Sequence, residues 1–499
     1  MAEPYYITTA IHYPNGRPHI GHAYEMIAAD VIARFQRQSG RDVFFQTGTD
    51  EHGLKMVQTA RARDMDVRAL ADEMSGYFHE MADELDISYD RFIRTSEPAH
   101  YAASQAIWQA MADAGDLYLD RYEGWYSVRD EAFYEEKELT EGEGGQKLSP
   151  QGTPVEWTAE ETWFFKLSKY QQPLLDFYAA NPDFIRPESR RNEVLRFVEG
   201  GLVDLSVSRT SFDWGVPVPG SPGHVMYVWV DALTNYITGA GYPDDTERFA
   251  KYWPADLHLI GKDIVRFHAV YWPAFLMSAK IALPKQVFGH GFLLNRGEKM
   301  SKSVGNVVDP MALAKLYGVD ALRYFLLRDV SFGNDGTFSD EAIVTRANAD
   351  LSNSFGNLAQ RTLAFIAKNL DGVVEAGRVD PADDTLLAEV HTACEGFARA
   401  FGDLALSQGL ESWMAGVFAC NQYIDVQAPW ALRKTDPERM HAVLGTLLKA
   451  IRQLAVTIQP VVPGSAARLL EQLGPEGDAD FRIAPPTPIF PRLELKEEA

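Results

Sequence analysis

The sequence predicts an α/β fold: a Rossmann-like parallel sheet of the nucleotide-binding kind, split by an insertion and followed by an all-α bundle. Three observations carry this. The N-terminal stretch runs through strand, loop, helix and strand patterns in βαβ order. The same character resumes at Val225-Met226-Tyr227-Val228-Trp229-Val230 and at Leu257-His258-Leu259-Ile260-Gly261, after a segment of different pattern. From about residue 346, helical periodicity dominates almost to the end.

Taken in order, Tyr5-Tyr6-Ile7-Thr8-Thr9 is a β-branched and aromatic run that ends at the turn signal Pro14-Asn15-Gly16, which predicts a first buried strand. Ile20, Ala23, Ile27, Val31 and Phe35 then fall at helical spacing over about 19–38, with Gly40 as the stop. Val43-Phe44-Phe45 predicts a second strand, running into Thr47-Gly48-Thr49-Asp50-Glu51-His52-Gly53. Residues from about 54 to 112 read as helical. From Tyr118 to Glu138 the pattern shortens and alternates, and the acidic Glu141-Gly142-Glu143-Gly144-Gly145 reads as a loop. The apolar stretch His268–Leu283, interrupted by Pro273 and Lys280, reads as a buried core helix or a strand–helix junction rather than a membrane span. Near Arg346 a stripe of Leu351, Phe355, Leu358, Thr362 and Phe365 predicts a helix packed into a bundle, and segments 383–404, 410–424 and 439–458 behave alike. The proline-rich tail is expected to be extended. These patterns place the two halves of the sheet domain at 1–116 and 225–282, the insertion at 117–224, a linking region at 283–345, and the helical domain with its tail at 346–499.

A chain of 499 residues has room for two to four domains, and 46% hydrophobic with 23% charged residues is the balance of a globular protein. The start, Met1-Ala2-Glu3-Pro4, lacks the basic flank and apolar run of a signal peptide, and strand pattern begins at Tyr5, so a cytoplasmic location is expected. Two cysteines, Cys394 and Cys420, are too few and too far apart for a disulfide framework or a Cys-x-x-Cys zinc site, and they read as small buried hydrophobes. The formal net charge of −23 repels phosphate at long range and argues against indiscriminate nucleic-acid binding; it leaves room for RNA read by a local basic surface. No Gly-x-Gly-x-x-Gly follows the first strand and no Walker-type loop occurs, which excludes a dinucleotide fold and a P-loop enzyme.

Two stretches carry the chemistry. His19-Ile20-Gly21-His22 lies where the first strand turns into its helix, so two imidazole donors join the unpaired N–H groups of a helix N-terminus, and Gly21 admits a phosphate closely. Lys299-Met300-Ser301-Lys302-Ser303 sets two ammonium groups three residues apart between Gly297 and Gly305, which reads as a mobile cationic loop. On its own the second could be a solvated basic turn. Together they suit stabilising a pentacoordinate α-phosphate during nucleotidyl transfer from ATP, with pyrophosphate leaving and no protein nucleophile required.

This pair is similar to the double signature of class I aminoacyl-tRNA synthetases. Thr9-Ala10-Ile11-His12-Tyr13, Thr49-Asp50-Glu51-His52-Gly53, Tyr227-Val228-Trp229-Val230-Asp231-Ala232, Gly261-Lys262-Asp263-Ile264-Val265-Arg266-Phe267-His268 and Ala428-Pro429-Trp430-Ala431-Leu432 resemble the methionyl-tRNA synthetases, over nearly the whole chain. The resemblance implies a catalytic domain split by a connective insertion, a stem-contact region bearing the lysine loop, and an anticodon-binding bundle. It implies His19, His22, Lys299 and Lys302 as catalytic residues, and Gly21, Gly261, Asp263 and Ser301 beside them for ATP with its Mg²⁺. Ala10, Ile11, Tyr13, Trp229, Ala232, Tyr236, Ile264 and His268 would line a methionine pocket, Asp50 would hold the substrate ammonium, and Arg209 would help bind the substrates. An apolar, aromatic sleeve suits a thioether, to which a Tyr hydroxyl or His N–H can donate weakly. On pattern alone Trp229 is a core strand residue and His268 a capped core histidine.

Asn357 and Arg361, four apart, share a helix face, and Trp430 offers a ring for base stacking. The resemblance assigns all three to reading the CAU anticodon of tRNA(Met), initiator and elongator alike; a surface polar pair and a packed tryptophan are the plain alternatives. Many relatives carry cysteine zinc knuckles in the insertion, whereas here no cysteine precedes Cys394, so no structural zinc is expected and packing around Trp125, Tyr126 and Phe133 takes its place. The sequence stops at Ala499 without an appended dimer-forming module, which favours a monomer. Competing readings are a small nucleotidyltransferase, disfavoured by the long helical C-terminal part, and a silent RNA-binding relative, disfavoured by the intact His and Lys pairs. A cysteine-specific enzyme would need thiolate zinc ligands that are absent.

Overall fold

The computed structural model describes residues 2–129, 132–300, 306–475 and 481–495. It divides into two compact units, one made of 1–29, 39–83 and 87–290, the other of 30–38, 84–86 and 291–499.

The first unit is built on a six-stranded parallel sheet of order β3-β2-β1-β13-β14-β9, formed by β1 (Pro4–Thr9), β2 (Asp42–Thr49), β3 (Arg91–Arg94), β9 (Ile185–Arg186), β13 (Leu257–Gly261) and β14 (Val287–His290). Tyr6, Ile7, Phe45, Leu259 and Ile260 are fully buried, because helices cover both faces of a parallel sheet. Helix α1 (Ile20–Gln38) makes the first crossover, as predicted. Within the stretch read as helical, α2 (Leu54–Ala62), α3 (Val67–Glu84) and α4 (Pro98–Asp113) are interrupted by β3, which the pattern did not reveal. Four residues are too short for a period to register, and this strand is held at the sheet edge by Asp90, whose N–H donates to Phe45 O at 2.8 Å and whose carboxylate accepts from Phe45 N–H at 2.8 Å.

A second correction concerns Val225–Val230. Only β12 (Val225–Met226) is strand, paired with β11 (Ser208–Arg209); from Val228 the chain is helix α7 (Val228–Ala240). Nearly all of α7 is buried, its polar residues Asp231, Thr234, Asn235 and Thr238 included, so no solvent-facing polar stripe marks it as a helix in the sequence. After α8 (Thr246–Tyr252) and β13, a π-helical turn at Phe267–Tyr271 leads into α9 (Trp272–Ala279), in keeping with the predicted core helix.

Between α4 and β12 the chain forms an antiparallel sheet of order β10-β8-β4-β5, from β4 (Leu117–Ser127), β5 (Ala132–Tyr134), β8 (Glu156–Phe165) and β10 (Leu205–Ser206), with a small ribbon of β6 (Thr140–Glu141) and β7 (Lys147–Leu148). Around Trp125 the packing is aromatic: its ring meets Trp157 edge-on at 5.3 Å, the Lys147 ammonium lies 4.2 Å from it, Tyr126 is buried, and Tyr134 and Val155 form a small core. The side chain of Phe133 lies outside the described residues. Helices α5 (Gln171–Ala180) and α6 (Glu188–Glu199) flank the short β9, which returns to the main sheet.

In the second unit, β15 (Leu293–Asn295), β16 (Glu298–Lys299) and β17 (Gly336–Phe338) make a small sheet. Lys299 thus stands in a hairpin strand opposite Leu294, the turn being made by Arg296 and Gly297 at positive φ, and not in a free loop as its sequence suggested. Helices α10 (Pro310–Tyr317), α11 (Val319–Asp329), α12 (Asp340–Arg346), α13 (Asn357–Asn369), α14 (Pro381–Gly402), α15 (Leu406–Gln427), α16 (Pro429–Thr435), α17 (Pro437–Ile458) and α18 (Pro463–Leu473) complete the bundle, with β18 (Val373–Val374) paired to β19 (Phe481–Arg482). Leu351, Phe355, Leu358 and Thr362 are buried as the stripe predicts, but Phe365 is only half-buried and Ile366 takes its place. Residues Ala347–Gly356 are π-helical, and the regular helix α13 that follows buries Leu358, Ala359, Thr362, Leu363 and Ile366. The tail is extended and strapped down, with Asn348 exchanging two hydrogen bonds of 2.8 Å with the Leu493 backbone. Cys394 and Cys420 are buried thiols. Among the described residues no helix is long and apolar enough to cross a membrane.

Candidate active site

Ligands of open parallel sheets bind beyond the carboxyl ends of the strands. Here β1 continues past Thr9 into Ala10–Tyr13, and its pairing with β2 is prolonged by His12 N–H to Gly48 O and Asp50 N–H to His12 O, both 2.9 Å. Asp50 is thereby held, largely buried, at the mouth of the sheet. The buried Ala10 donates its N–H to Glu25 Oε1 at 2.9 Å, and Glu25 Oε2 pairs with His290 Nε2 at 2.8 Å, so α1 and β14 meet at the same end.

The two signature histidines meet each other at the start of α1. Their rings stack at 3.8 Å; the Gly21 N–H donates to His19 Nδ1 and the His19 N–H to His22 Nδ1, each at 3.1 Å. With both Nδ1 atoms accepting, the neutral rings carry their protons on Nε2, as donors to an anion require. A Cβ at residue 21 would lie 2.9 Å from His19 Cε1, so glycine there makes space for the ring stack, a role the sequence did not disclose. His22 also meets Phe78 and His12 edge-on at 5.1 and 5.0 Å. Gly261 ends β13 and Asp263 lies in the following turn, where a Cβ on Gly261 would come 2.7 Å from Asp263 Oδ1.

Trp229, Ala232 and Tyr236 fall on one face of α7 by their spacing. Trp229 stacks on Phe267 at 3.7 Å, and the His268 ring lies 6.1 Å from Trp229 and 5.6 Å from Tyr236. Burial pushes the His268 pKa down to about 4, so the ring is neutral at physiological pH. Its Nδ1 proton goes to Ile264 O at 2.9 Å, and its Nε2 accepts from the Tyr236 hydroxyl at 2.6 Å. Both protons expected to reach a thioether are therefore engaged within the wall, which they stiffen. Tyr6 donates its hydroxyl to Tyr236 O at 2.8 Å, tying α7 to β1.

The remaining candidates are spread more widely. Ile11 is half-buried, and Tyr13 packs on a cluster of Met56, Met74 and Trp214, with the Lys55 ammonium 5.9 Å from its ring. Arg209 is buried with its guanidinium 5.3 Å from the Tyr126 ring and 4.5 Å from the Tyr227 ring, and Nη1 donates to Ser208 O at 2.6 Å, so its contacts join the inserted sheet to the start of α7. Ser301 and Lys302, and the side chain of Lys299, lie outside the described residues. Among the described residues no group of three or more His, Cys, Asp and Glu is placed to hold a metal ion.

Sequence reasoning missed a buried charge cluster beside Asp50. Asp231 Oδ2 accepts from His52 Nδ1 and Oδ1 from His100 Nε2, each at 2.6 Å. Burial works to raise the Asp231 pKa, but the two imidazoles outweigh it and bring it down to about 2. Glu51, fully buried, accepts from Arg94 Nε at 2.6 Å and from the Thr49 hydroxyl at 2.9 Å. Both carboxylates stand inside stretches quoted above for other reasons; polar residues flanking a pocket motif were the only signal.

In the second unit, the Arg361 guanidinium lies 5.3 Å from the Trp430 ring and pairs with Asp425 at 2.7 Å. Trp430 is 45% exposed, which leaves ring surface open for stacking. Asn357, exposed at the start of α13, borders a cleft of about 380 Å³ with Ser352, Asn353, Gln360 and the tail residues Pro488 and Phe490.

The family described as tRNA synthetases class I (M) matches residues 5–363, and that described as the anticodon binding domain of methionyl tRNA ligase matches 373–484. The methionine–tRNA ligase of Brucella suis biovar 1 (strain 1330) is 57% identical over 99% of both chains. That of Mycobacterium tuberculosis strain H37Rv is 56% identical, over 99% of this chain and 98% of the relative. The solved Mycobacterium tuberculosis methionyl-tRNA synthetase in complex with methionyl-adenylate superposes with a TM-score of 0.95 at 56% identity, covering 98% of this chain and 100% of the other.

Proposed function

The chain belongs to the class I methionyl-tRNA synthetases, and from that premise we propose how its residues divide the reaction. The enzyme activates L-methionine with ATP to methionyl-AMP, releasing pyrophosphate, and transfers the methionyl group to the 3′-terminal adenosine of tRNA(Met). In our reading a methionine carboxylate oxygen attacks the α-phosphorus of ATP, the bond to the β-phosphate oxygen breaks, and pyrophosphate departs; Mg²⁺ brought in with ATP would offset part of the phosphate charge. His19 and His22 donate to the α-phosphate oxygens, while Lys299 and Lys302 neutralise the leaving pyrophosphate, with Ser301 assisting. Gly21, Gly261 and Asp263 receive the nucleotide. A hydroxyl of the terminal ribose then attacks the activated carbonyl, and AMP leaves.

Asp50 holds the substrate ammonium in this reading, Arg209 supports the site from the insertion, and Ala10, Ile11, Tyr13, Trp229, Ala232, Tyr236, Ile264 and His268 surround the side chain. Residues 117–224 act as the connective insertion, 283–345 as the stem-contact region, and 346–499 as the part that reads the anticodon through Asn357, Arg361 and Trp430. We take the enzyme to act in the cytoplasm as a monomer on initiator and elongator tRNA(Met), without structural zinc.

The observation that carries the reading is the stacked His19–His22 pair at the N-terminus of α1, with both Nδ1 atoms occupied by backbone N–H groups. Methionine-dependent ATP–pyrophosphate exchange tests it. His22→Ala and Lys302→Ala are each expected to lower the exchange rate by roughly 100-fold or more, the usual cost of one transition-state donor. Undiminished exchange in either folded variant would remove that residue from the mechanism.

A further inference from the structure

The ammonium site and the side-chain wall of the methionine pocket come from different elements, the end of β2 and the first turns of α7, so something must fix the distance between them. Gln46 Nε2 donates to Asn235 O at 3.1 Å and to Asn235 Oδ1 at 2.8 Å, and Tyr6 reaches Tyr236 O, which anchors the middle of α7 to the sheet. At its N-terminal turn the tie is Asp231, which lies between Trp229 and Ala232 in the sequence and takes hydrogen bonds from His52 and His100 on 2.6 Å contacts. His52 is two residues beyond Asp50. Asp231, His52 and His100 are each 1% exposed or less.

The partners are themselves held. His52 Nε2 meets the Tyr101 hydroxyl at 3.0 Å, and His100 Nδ1 meets Thr238 Oγ1 at 3.1 Å, one further link back to α7. Between Asp50 and His52, Glu51 is pinned by Arg94, Thr49 and Ser96, and its carbonyl accepts from Trp214 Nε1 at 2.5 Å. The carboxylate at the start of a helix is also favoured by the helix dipole. Charge-assisted hydrogen bonds at these distances, in a dry interior, are short and directional and leave little play.

We propose that Asp231, through His52 and His100, is the positioning centre that sets the span between Asp50 and the Trp229–Ala232–Tyr236 face of α7, and so the length of side chain the enzyme accepts. The proposal rests on the methionine-pocket reading given above. A substrate anchored at both ends profits from such a ruler, because a displacement of about 1 Å at a reacting group costs as much as 100-fold in rate. Methionine differs from its nearest competitors by single groups along that length, with homocysteine shorter by one methyl and ethionine longer by one methylene.

The test uses ATP–pyrophosphate exchange by the full chain with methionine, homocysteine and ethionine. Asp231→Asn, of the same shape but without the charge, is expected to raise the KM for methionine about 10- to 100-fold with the KM for ATP within about twofold. The preference for methionine over homocysteine and ethionine falls at least fivefold. His52→Asn, which keeps an N–H near the Nδ1 position, is expected to lie closer to the parent than His52→Ala; this pair decides the matter if Asp231→Asn does not fold. A lowered melting temperature with unchanged KM and unchanged preference would reduce the cluster to a stabilising role and overturn the proposal, as would equal rises in KM for methionine and ATP. Asp50→Asn separates the two levels. If it leaves the methionine KM unaltered, the pocket reading fails and the proposal with it; if it raises that KM while the Asp231 and His52 variants do not, the ruler alone is refuted.

Discussion

His268 and Asp231 show how burial in the one case and close imidazole partners in the other set the chemistry of single side chains here. The His268 pKa is depressed from 6.5 to about 4 by desolvation, so the unfolded chain binds a proton between those values that the folded chain refuses. Stability from this residue is complete above about pH 6.5 and is lost as the pH falls toward 4, by about 3 kcal/mol in all. Asp231 is also depressed, from 3.8 to about 2, and its contribution of about 2 kcal/mol, present above pH 3.8, is lost as the pH falls toward 2. Urea unfolding midpoints measured from pH 8 to 4 are therefore expected to decline mostly below 6.5, and a Tyr236→Phe, His268→Gln double variant should flatten that decline. An unchanged slope would mean that other groups carry the acid sensitivity. The sequence named His268 and Tyr236 as neighbours in function through family resemblance. That they hydrogen-bond to each other, and thereby lose their donors to a substrate, could not be read from a chain in which they are 32 apart.

Among the elements, the helices were the most legible. Helix α1 and the three long helices α14, α15 and α17 carry clear apolar stripes, and their bounds agree with the pattern within a few residues. Strand β3 and helix α7 were not legible, the first for shortness and the second because its polar residues are buried along with its apolar ones, so they mark no solvent face. Arg323 on α11 was missed too, although it organises the second unit. Its guanidinium is fully buried and donates to Asp30 at 2.5 Å, to Leu85 O at 3.1 Å, and to Pro460 O and Val461 O at 3.1 and 3.0 Å. Removing one member of a buried charged network costs about 3–5 kcal/mol, since the partners remain unpaired. Arg323→Met should lower the thermal midpoint clearly, with a steady-state KM for methionine unchanged in the protein that stays folded; a midpoint within a degree of the parent would show that the bundle does not depend on this residue.

For the whole molecule, activation and tRNA reading are assigned to separate sets of residues, and this makes them separable by experiment. Trp430→Ala is expected to leave methionine-dependent exchange unchanged while raising the KM for tRNA(Met) about 10-fold or more, in line with about 1–3 kcal/mol for one base stack. Loss of exchange in that variant would contradict the division. The pocket itself has a limit: homocysteine lacks one methyl, worth about 1–3 kcal/mol, so exchange with homocysteine should be detectable at roughly 10- to 200-fold lower kcat/KM than with methionine. Correction of homocysteine within the synthetic site is a hypothesis that predicts homocysteine-dependent ATP turnover, and absence of that turnover would argue against it.

What the sequence alone determined was the class of fold, the reaction and the family, because these are carried by local signals: βαβ order, apolar stripes and short contiguous motifs in which the chemistry and the spacing coincide. What only the tertiary structure decided was which groups share protons and charge. The Tyr236–His268 hydrogen bond and the Asp231 cluster with His52 and His100 join residues of separate elements through burial and hydrogen bonds of fixed geometry. Such contacts depend on distances between elements far apart in the chain, and no periodicity along the chain records them.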